Sequence, residues 1–490
     1  RFGFKSRGLG DVYKRQGLGG LASAVRLANR GLDVTILEKN SFVGGRNFKI
    51  KVGESTFDSG PTLLMMLDPL RRLFNDVGES IEDHLSLQLI DPGYRASFSD
   101  GVEIHSTPNV ARMSDEIRRL FGPGDAGSYE ALLMDLQRLY SDSIPKFVRN
   151  PYSSPADILH PKLLASAFQL GVFRNLWKEV SRRFESDHLK MLFTFQSMYL
   201  GLSPFKAPWV YGSLCYMEFG QGIWYPAGGL SKINEALVEL AKSRGVKIIL
   251  NAEVSKISGQ SVEQVDGTRM TFDHIVVNAD LPYAKTIVEE ESSYTPPKSS
   301  CGALMFYWDV ESELTKLFHH NVFFGSDYKQ NFEAIFERNQ HASDPSFYVC
   351  ASSRTDQSMA QRGHTNVMVL VPSPLATQEY SEGTIERYRS HVVGRLSKEV
   401  GLDQSTIKAE LVRTPSHWKN LFNLDQGAAF GSGHYLTQSA FMRHGTRSKA
   451  HPGLSYVGAS ARPGNGIPMV LISAELVEHE VCTRRRLARS

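Results

Sequence analysis

The stretch Gln16-Gly17-Leu18-Gly19-Gly20-Leu21 and the segments that follow it decide the fold of this chain. Apolar side chains recur on one face of the next segment, which predicts a helix, at Leu21, Ala24, Val25 and Ala28. An apolar strand, Val34-Thr35-Ile36-Leu37, then ends on Glu38. This order of glycine loop, helix, strand and acid is the second part of a Rossmann βαβ unit, which binds dinucleotides. The acid falls about 20 residues past the loop, where it can accept hydrogen bonds from an adenosine ribose.

The apolar strand that should precede the glycine loop is missing. In its place stand Ser6-Arg7-Gly8-Leu9-Gly10-Asp11-Val12-Tyr13-Lys14-Arg15-Gln16, which resemble the translation of a transposase-based sequencing adapter. Residues 1–16 are therefore interpreted as an artefact and excluded from fold reasoning. A genuine divergent N-terminus is the alternative. Because the chain opens on Arg1, we expect it to be a fragment.

Composition excludes several classes of protein. The net charge is +3, but residues 1–16 contribute +4, which leaves −1 for the remainder and gives no support to nucleic-acid binding. The four cysteines stand far apart without metal-ligand spacing, which argues against a disulfide framework and a zinc site. No run of about 18 uninterrupted apolar residues occurs, so a membrane-spanning helix is not expected.

Two further loops suit a phosphate-bearing ligand. Ser41-Phe42-Val43-Gly44-Gly45-Arg46 is a glycine turn that ends on a cation, and glycines allow the backbone to approach a phosphate that arginine can neutralise. Phe57-Asp58-Ser59-Gly60-Pro61-Thr62 is a second tight turn with small polar groups. Behind a Rossmann remnant, these loops together become a strong signal.

A second α/β segment begins near residue 222. The loop Tyr225-Pro226-Ala227-Gly228-Gly229 leads to a predicted helix that Ser231 can cap, and Gly245 ends that helix. Strands are predicted over residues 246–250 and 274–280.

The last motif is a strand, a glycine loop and a helix near the C-terminus. Leu454-Ser455-Tyr456-Val457-Gly458-Ala459-Ser460 precedes Pro463-Gly464-Asn465-Gly466-Ile467-Pro468-Met469, and the helix is predicted to have Pro468 in its first turn. Glycines at the mouth of a helix direct backbone N–H groups and the positive dipole end toward an anion or a polar ring edge.

The middle of the chain has a different character. Residues 110–220 combine helical patterns with many aromatic side chains, which indicates an ordinary helical core, the wall of a long apolar cavity, or helices that dip into a bilayer. Residues 300–420 carry β patterning typical of a mixed substrate domain. His319-His320 is interpreted as a surface pair rather than a metal site, because adjacent residues seldom both reach one ion.

Taken together, these motifs resemble the bacterial and fungal phytoene desaturase family, which are FAD-dependent carotenoid enzymes of the amine oxidase superfamily. The resemblance covers residues 17 to about 480 and includes less generic segments such as Thr414-Pro415-Ser416-His417-Trp418 and Gln426-Gly427-Ala428-Ala429-Phe430-Gly431. The chain departs from the family pattern at the missing first strand and first glycine, where Gln16 occupies a normally small position beside the pyrophosphate.

The resemblance implies that FAD is the cofactor and assigns residues to it. Glu38 would hold the ribose, Arg46 a phosphate region and Val254 the adenine side. The complete implied set is Gly17, Leu18, Gly20, Glu38, Lys39, Gly45, Arg46, Pro61, Thr62, Val254, Gly458, Ala459, Gly466, Ile467, Pro468 and Met469. No catalytic residue can be named, because Asp58 and Asp280 suit structural or cofactor roles better than a general base.

The expected fold class is α/β, with a discontinuous Rossmann-like FAD-binding domain, an inserted mixed α+β substrate domain and a helical membrane-associating region. We predict the FAD-binding domain over residues 17–70, 222–285 and 430–482 and the substrate domain over residues 71–110 and 286–429. The helical region is predicted over residues 111–221.

The resemblance implies desaturation of a carotenoid precursor such as phytoene by hydride transfer to flavin, with oxygen or a quinone as the electron acceptor. The alternatives are a carotenoid oxygenase or ketolase, a C30 diapophytoene desaturase, a retinol-saturase-like enzyme, and a non-catalytic prenyl-binding protein of related fold. The partners are a hydrophobic carotenoid and a lipid bilayer. We expect a peripheral membrane protein on the cytoplasmic side, with residues 190–220 as the candidate lining or entrance of a substrate tunnel.

Overall fold

A computed structural model describes residues 17–150, 161–289, 295–439, 442–448 and 451–487. Residues 1–16, and with them the expectation for Gln16, lie outside the described part of the chain. We number the elements in chain order.

Helices occur along the described chain from Leu18 to Leu487. They are α1 (Leu18–Asn29), α2 (Asp68–Asp76), α3 (Val110–Phe121), α4 (Pro123–Ser143), α5 (Pro161–Gln169), α6 (Leu176–Ser181), α7 (Asp187–Leu192), α8 (Ser213–Phe219), α9 (Ser231–Ser243), α10 (Leu281–Ile287), α11 (Tyr328–Phe332), α12 (Glu382–Val400), α13 (Pro415–Phe422) and α14 (Ile467–Leu487).

The strands are mostly short and fall into several sheets. They are β1 (Thr35–Glu38), β2 (Lys49–Val52), β3 (Ser55–Asp58), β4 (Leu87–Ile90), β5 (Arg95–Ser97), β6 (Glu103–His105), β7 (Ile223–Pro226), β8 (Lys247–Leu250), β9 (Val254–Ser258), β10 (Ser261–Gln264), β11 (Arg269–Thr271), β12 (Ile275–Val277), β13 (Gly302–Val310), β14 (His320–Phe323), β15 (Phe347–Cys350), β16 (Thr365–Ser373), β17 (Ile407–Arg413) and β18 (Leu454–Tyr456).

Strands from distant parts of the sequence form the parallel pairs of the nucleotide-binding part. β1 pairs in parallel with β8, and β12 pairs in parallel with β18. Helix α1 packs between α9 and α14 and buries the predicted apolar face, with Leu21 and Val25 fully inaccessible. The four strands β1, β8, β12 and β18 span residues 35–456, so the two parallel pairs join segments that are distant in the sequence.

Gly17 lies where the two parallel pairs approach each other. Its backbone forms an isolated parallel bridge with Gly44, and its carbonyl oxygen accepts a hydrogen bond from Asn278 Nδ2 at 3.3 Å, directly after β12. Among the described residues, β1 pairs only with β8, and β12 pairs only with β18. A strand that entered α1 through Gly17 would therefore lie close to both pairs, and its crossover through α1 to β1 is expected to be right-handed.

The largest sheet has seven strands in the order β17-β13-β16-β15-β14-β5-β6. Alternate side chains of β13 point to opposite faces of this sheet. Phe306 and Trp308 share a core with Tyr388 and Leu396 of α12, whereas Tyr307 packs on the other face with the β2–β3 hairpin. Both faces are covered, which explains why every residue of β13 is buried.

The helical region packs around an aromatic core. Phe184, Phe193 and Phe219 join Tyr129 of α4 in one buried cluster, with ring centroids of Phe193 and Phe219 5.0 Å apart. Within the described residues, no helix is both long enough and apolar enough to cross a bilayer.

Candidate cofactor and substrate site

One cavity of about 1890 Å³ connects the glycine loops with the aromatic helical region. All sixteen residues that the sequence assigned to the cofactor line it, from Gly17 to Met469. Its wall also includes residues of β1 and β12. The structure thus brings together residues that are separated by more than 400 positions, although their individual roles stay predictions.

Gly19 and Gly458 approach each other closely in the glycine-loop wall. A Cβ on Gly19 would lie 3.2 Å from the Cα of Gly458 and 3.3 Å from Asn278 Oδ1. Gly458 has φ +104°, and a Cβ there would lie 2.6 Å from the same oxygen. Only glycine adopts this conformation and this approach without strain. The first turn of α1 and the C-terminal loop therefore meet with their backbones exposed to the cavity.

The C-terminal helix begins as the sequence predicts. Helix α14 starts at Ile467, so Pro468 stands in its first turn, where its missing N–H costs no hydrogen bond. Asn465 Nδ2 donates to the backbone carbonyl of Tyr199 at 2.8 Å. This bond ties the loop before α14 to the helical region.

Glu38 and Arg46 place opposite charges along the cavity. The Glu38 carboxylate ends β1 and accepts hydrogen bonds from the backbone and side-chain nitrogens of Asn40, at 2.9 and 3.1 Å. Arg46 Nη1 donates to the carbonyl of Ala429 at 3.0 Å, and burial lowers its pKa while Asp280 raises it. A carboxylate beside a ribose and a guanidinium beside a phosphate are the contacts an adenine dinucleotide needs. Together with the glycine cradle, these residues fit FAD.

Asp58 stabilises the start of α9, a role that the sequence analysis gave to Ser231. The two carboxylate oxygens of Asp58 accept hydrogen bonds from Leu230 N at 3.0 Å and Ser231 N at 3.2 Å. The prediction that Ser231 caps this helix is wrong, because its side-chain oxygen has no hydrogen-bond partner among the described residues. Burial raises the pKa of Asp58 to about 6.

Replacing Asp58 with alanine is expected to destabilise the protein by about 2 kcal/mol, because two backbone N–H groups at a buried helix terminus lose their acceptor. Ser231→Ala is the matched control and should change the stability by less than about 0.5 kcal/mol, since it removes a hydroxyl without a partner. Urea unfolding of both variants at pH 8, where Asp58 is ionised, measures the difference. Equal effects of the two substitutions would refute the assignment.

The prediction that His319 and His320 form a surface pair is wrong. Both are buried, at 3% and 0% exposure, because β14 is an inner strand of the seven-stranded sheet. Ligand atoms of the pair and of Cys350 lie within 4.8 Å of one another. His320 Nδ1 bonds the Tyr348 hydroxyl at 2.7 Å, which in turn bonds Thr62 Oγ1 at 2.8 Å at the cavity wall. Burial lowers the pKa of His319 to about 3, so the pair is neutral. The expectation that no metal binds here stays a prediction.

Sequence reasoning missed two further groups at the site. Asn278 contacts both Gly17 and Gly458, and its place after a strand in a small polar turn was the only signal. Glu218 is a buried carboxyl of α8 whose pKa is raised to about 7 by burial. In the sequence it is a single acid between Met217 and Phe219, with no motif around it.

The chain belongs to the family described as flavin containing amine oxidoreductase, whose profile matches residues 18–477. It is 37% identical over 483 residues to the zeta-carotene-forming phytoene desaturase of Myxococcus xanthus, which covers 95% of this chain and 92% of that protein. It is 34% identical to the phytoene desaturase of Neurospora crassa, over 95% of this chain and 83% of that protein. The structure of an oxidoreductase from Methanosarcina mazei superposes with a TM-score of 0.60 at 16% identity, covering 94% of this chain and 98% of that one, and therefore shares its fold.

These comparisons confirm the resemblance to phytoene desaturases and the prediction of a flavin-dependent oxidoreductase that uses FAD. They also confirm the mixed α/β fold of the amine oxidase type.

Proposed function

We propose that this chain desaturates a linear carotenoid precursor, with phytoene as the substrate. One observation carries the proposal most directly: the cofactor wall and a long apolar wall belong to the same cavity. The apolar part is lined by Phe195, Met198, Leu200, Val210, Leu214, Met217, Phe324, Phe332 and Phe430. A long hydrocarbon can lie along such a wall with one of its C–C bonds beside the flavin position, which supports the activity named in the relatives.

The reaction removes a hydride and a proton from adjacent carbons. When bound, FAD accepts the hydride, and the protein supplies orientation and dryness. The aromatic and aliphatic wall keeps water away from a carbon skeleton that has no polar group to bind. The reduced flavin must then be reoxidised. Because the sequence motifs indicate no second redox centre, we propose oxygen or a quinone as the electron acceptor.

Product masses distinguish desaturation from the other activities of related enzymes. The enzyme is incubated separately with phytoene and with C30 diapophytoene. The products are separated by chromatography, and their masses are measured by mass spectrometry. Loss of two hydrogens per step from phytoene supports the proposal. Products that have gained oxygen would favour an oxygenase or ketolase. Turnover of the C30 substrate alone would favour a diapophytoene desaturase. Recovery of both substrates unchanged would contradict the proposal.

We further propose that the cavity takes its substrate from a lipid surface on the cytoplasmic side. Phe173 lines the cavity and is 76% exposed, and Leu436 and Met442 also line it while remaining 40% and 46% exposed. These segments meet, because Trp209 N donates to Arg174 O at 2.7 Å and the Tyr211 hydroxyl donates to His434 O at 3.0 Å. Exposed apolar side chains around an opening suit insertion into the interface of a bilayer.

The proposed position of the entrance changes the expectation that residues 190–220 form the lining or entrance of the substrate tunnel. Their side chains supply part of the lining, but the core rings Phe193 and Phe219 are buried and cannot enter lipid. The entrance is better assigned to the neighbourhood of Phe168 and Phe173, each 76% exposed.

The variants Phe168→Asp and Phe173→Asp are expected to lower binding to phosphatidylcholine–phosphatidylglycerol liposomes about tenfold when combined, because two inserted aromatic rings are lost. Val265→Asp is the matched control, since Val265 is 66% exposed on the β10–β11 turn and does not line the cavity. Liposome flotation measures the bound fraction. Unchanged flotation of the double variant would refute this entrance.

A further inference from the structure

Glu218 is a carboxyl group buried beside the apolar cavity, and it has no ionic partner among the described residues. It is 4% exposed in α8, and its Oε2 accepts a hydrogen bond from Gln196 Nε2 at 2.9 Å. Its Oε1 has no hydrogen-bond partner within the described part of the chain. An unpartnered buried carboxyl oxygen costs stability, so its retention calls for a function.

Gln196 holds this carboxyl in a fixed orientation. Its Nε2 also donates to the Leu192 carbonyl at 3.0 Å, and its Oε1 accepts from Cys215 Sγ at 3.2 Å. These two bonds define which end of the amide is the donor, and the donor end faces Glu218. The fixed amide leaves Oε1 as the reactive oxygen of the carboxyl.

Tyr199 connects Glu218 with the cavity. Its phenol interacts with the Glu218 carboxyl, and its side chain lines the cavity. Its backbone carbonyl accepts the hydrogen bond from Asn465, in the loop before α14 that the sequence assigns to the flavin side. Tyr199 therefore belongs both to the cavity wall and to the surroundings of the buried carboxyl.

The described titratable groups around Glu218 are neutral near pH 7. The titratable groups that face it are the phenols of Tyr94, Tyr199 and Tyr348 and the thiol of Cys215. Burial raises the pKa of each of these phenols and of the thiol above its ordinary value, so none of them carries charge near neutral pH. Burial also raises the pKa of Glu218 to about 7, so its charged and neutral forms coexist there.

We infer that Tyr199 and Glu218 form a relay that removes the proton during desaturation, with Glu218 as the final acceptor. Once the hydride has left one carbon for the flavin, the C–H bond on the adjacent carbon breaks and its electron pair forms the new C=C bond. The proton passes to the Tyr199 oxygen while the phenol proton passes to Glu218 Oε1. Tyr199 is the catalytic residue, and Glu218 acts through it. The inference rests on the proposed desaturation.

The relay makes a prediction about the pH dependence of turnover. Because the acceptor must be deprotonated, kcat of the FAD-loaded enzyme should rise with pH through about 7. Glu218→Gln keeps the acceptor for Gln196 but cannot take a proton, so kcat should fall about 100-fold and this rise should disappear. Tyr199→Phe should lower kcat to a similar extent. Glu185→Gln, at an exposed carboxyl of the same region, is the control and should leave kcat and its pH profile unchanged.

An infrared titration of the protein without cofactor or substrate gives a second readout. The carbonyl stretch of a protonated buried carboxyl should lose intensity as pH rises through about 7 in the wild type and in Tyr199→Phe. The component that titrates near 7 should be absent in Glu218→Gln, where the buried carboxyl of Asp58 still titrates near 6, and it should be retained in Glu185→Gln. A lower kcat with an unchanged pH profile in Glu218→Gln would mean a structural role and overturn the relay, while desaturation itself stands. A wild type without any turnover of phytoene would overturn the proposed function and the relay together.

Discussion

Replacing residues 1–16 with a short apolar strand that ends in glycine before Gly17 should raise the flavin content of the purified protein to near one FAD per chain. Among the described residues, β1 and β12 belong to two separate parallel pairs, and residues of both strands line the cavity. A strand that leads into Gly17 would join these pairs and hold Gly17 between Gly44 and Asn278. The added glycine would let the backbone approach the pyrophosphate. We expect the dissociation constant for FAD to fall at least about tenfold. A glycine loop that is already ordered does not have to lose conformational entropy when FAD binds.

The control is a replacement of equal length and composition whose apolar and polar residues are scrambled. Flavin absorbance relative to protein concentration, together with titration of FAD into the apoprotein, compares the three chains. The scrambled version should stay close to the starting chain. Full and equal flavin content in all three would contradict the prediction and would favour the interpretation of residues 1–16 as a genuine divergent N-terminus.

The variant Gly458→Ala is expected to weaken FAD binding at least about tenfold even in a chain with the restored strand. Gly458 has φ +104°, and its Cβ would meet Asn278 Oδ1 at 2.6 Å, so the C-terminal loop must move away from the first turn of α1. Both segments carry residues assigned to the cofactor, and their separation would open the cradle. Isothermal titration with FAD measures the loss.

Gly101→Ala is a matched control for this substitution. Gly101 has φ +93° in a turn, and no atom lies within 4 Å of the position its Cβ would take. An alanine there has the same backbone strain of about 1–2 kcal/mol without the clash. We expect Gly101→Ala to lower the unfolding midpoint slightly and to leave FAD affinity unchanged. A similar loss of affinity in both variants would show that backbone strain, and not the cradle, governs binding.

Local patterns in the sequence predict much of the fold. The apolar face of α1, the strands β1, β8, β13 and β16, and the start of α14 are confirmed because each follows from spacing within a few residues. The glycine loops were informative because their order along the chain, and not any one of them, is characteristic. Membership of the flavin enzyme family could be inferred for the same reason.

Contacts between distant residues could not be read in this way. Asp58 caps a helix that begins 173 residues later, and a serine at the first position of that helix is the better local signal. The burial of His320 depends on the neighbours of β14 in the sheet, which sequence order does not reveal. Glu218 and Tyr199 meet through the packing of α8 against its neighbours, and neither lies in a recognisable motif.

Pigment analysis of the strand-restored protein with FAD and phytoene in liposomes tests the central claim most directly. The claim is that the cavity joins a flavin site to an apolar wall that holds a carotenoid precursor for desaturation. We predict coloured polyenes with more conjugated double bonds, and their chromatographic separation counts the desaturation steps. Fully bound flavin together with unchanged phytoene would contradict the claim.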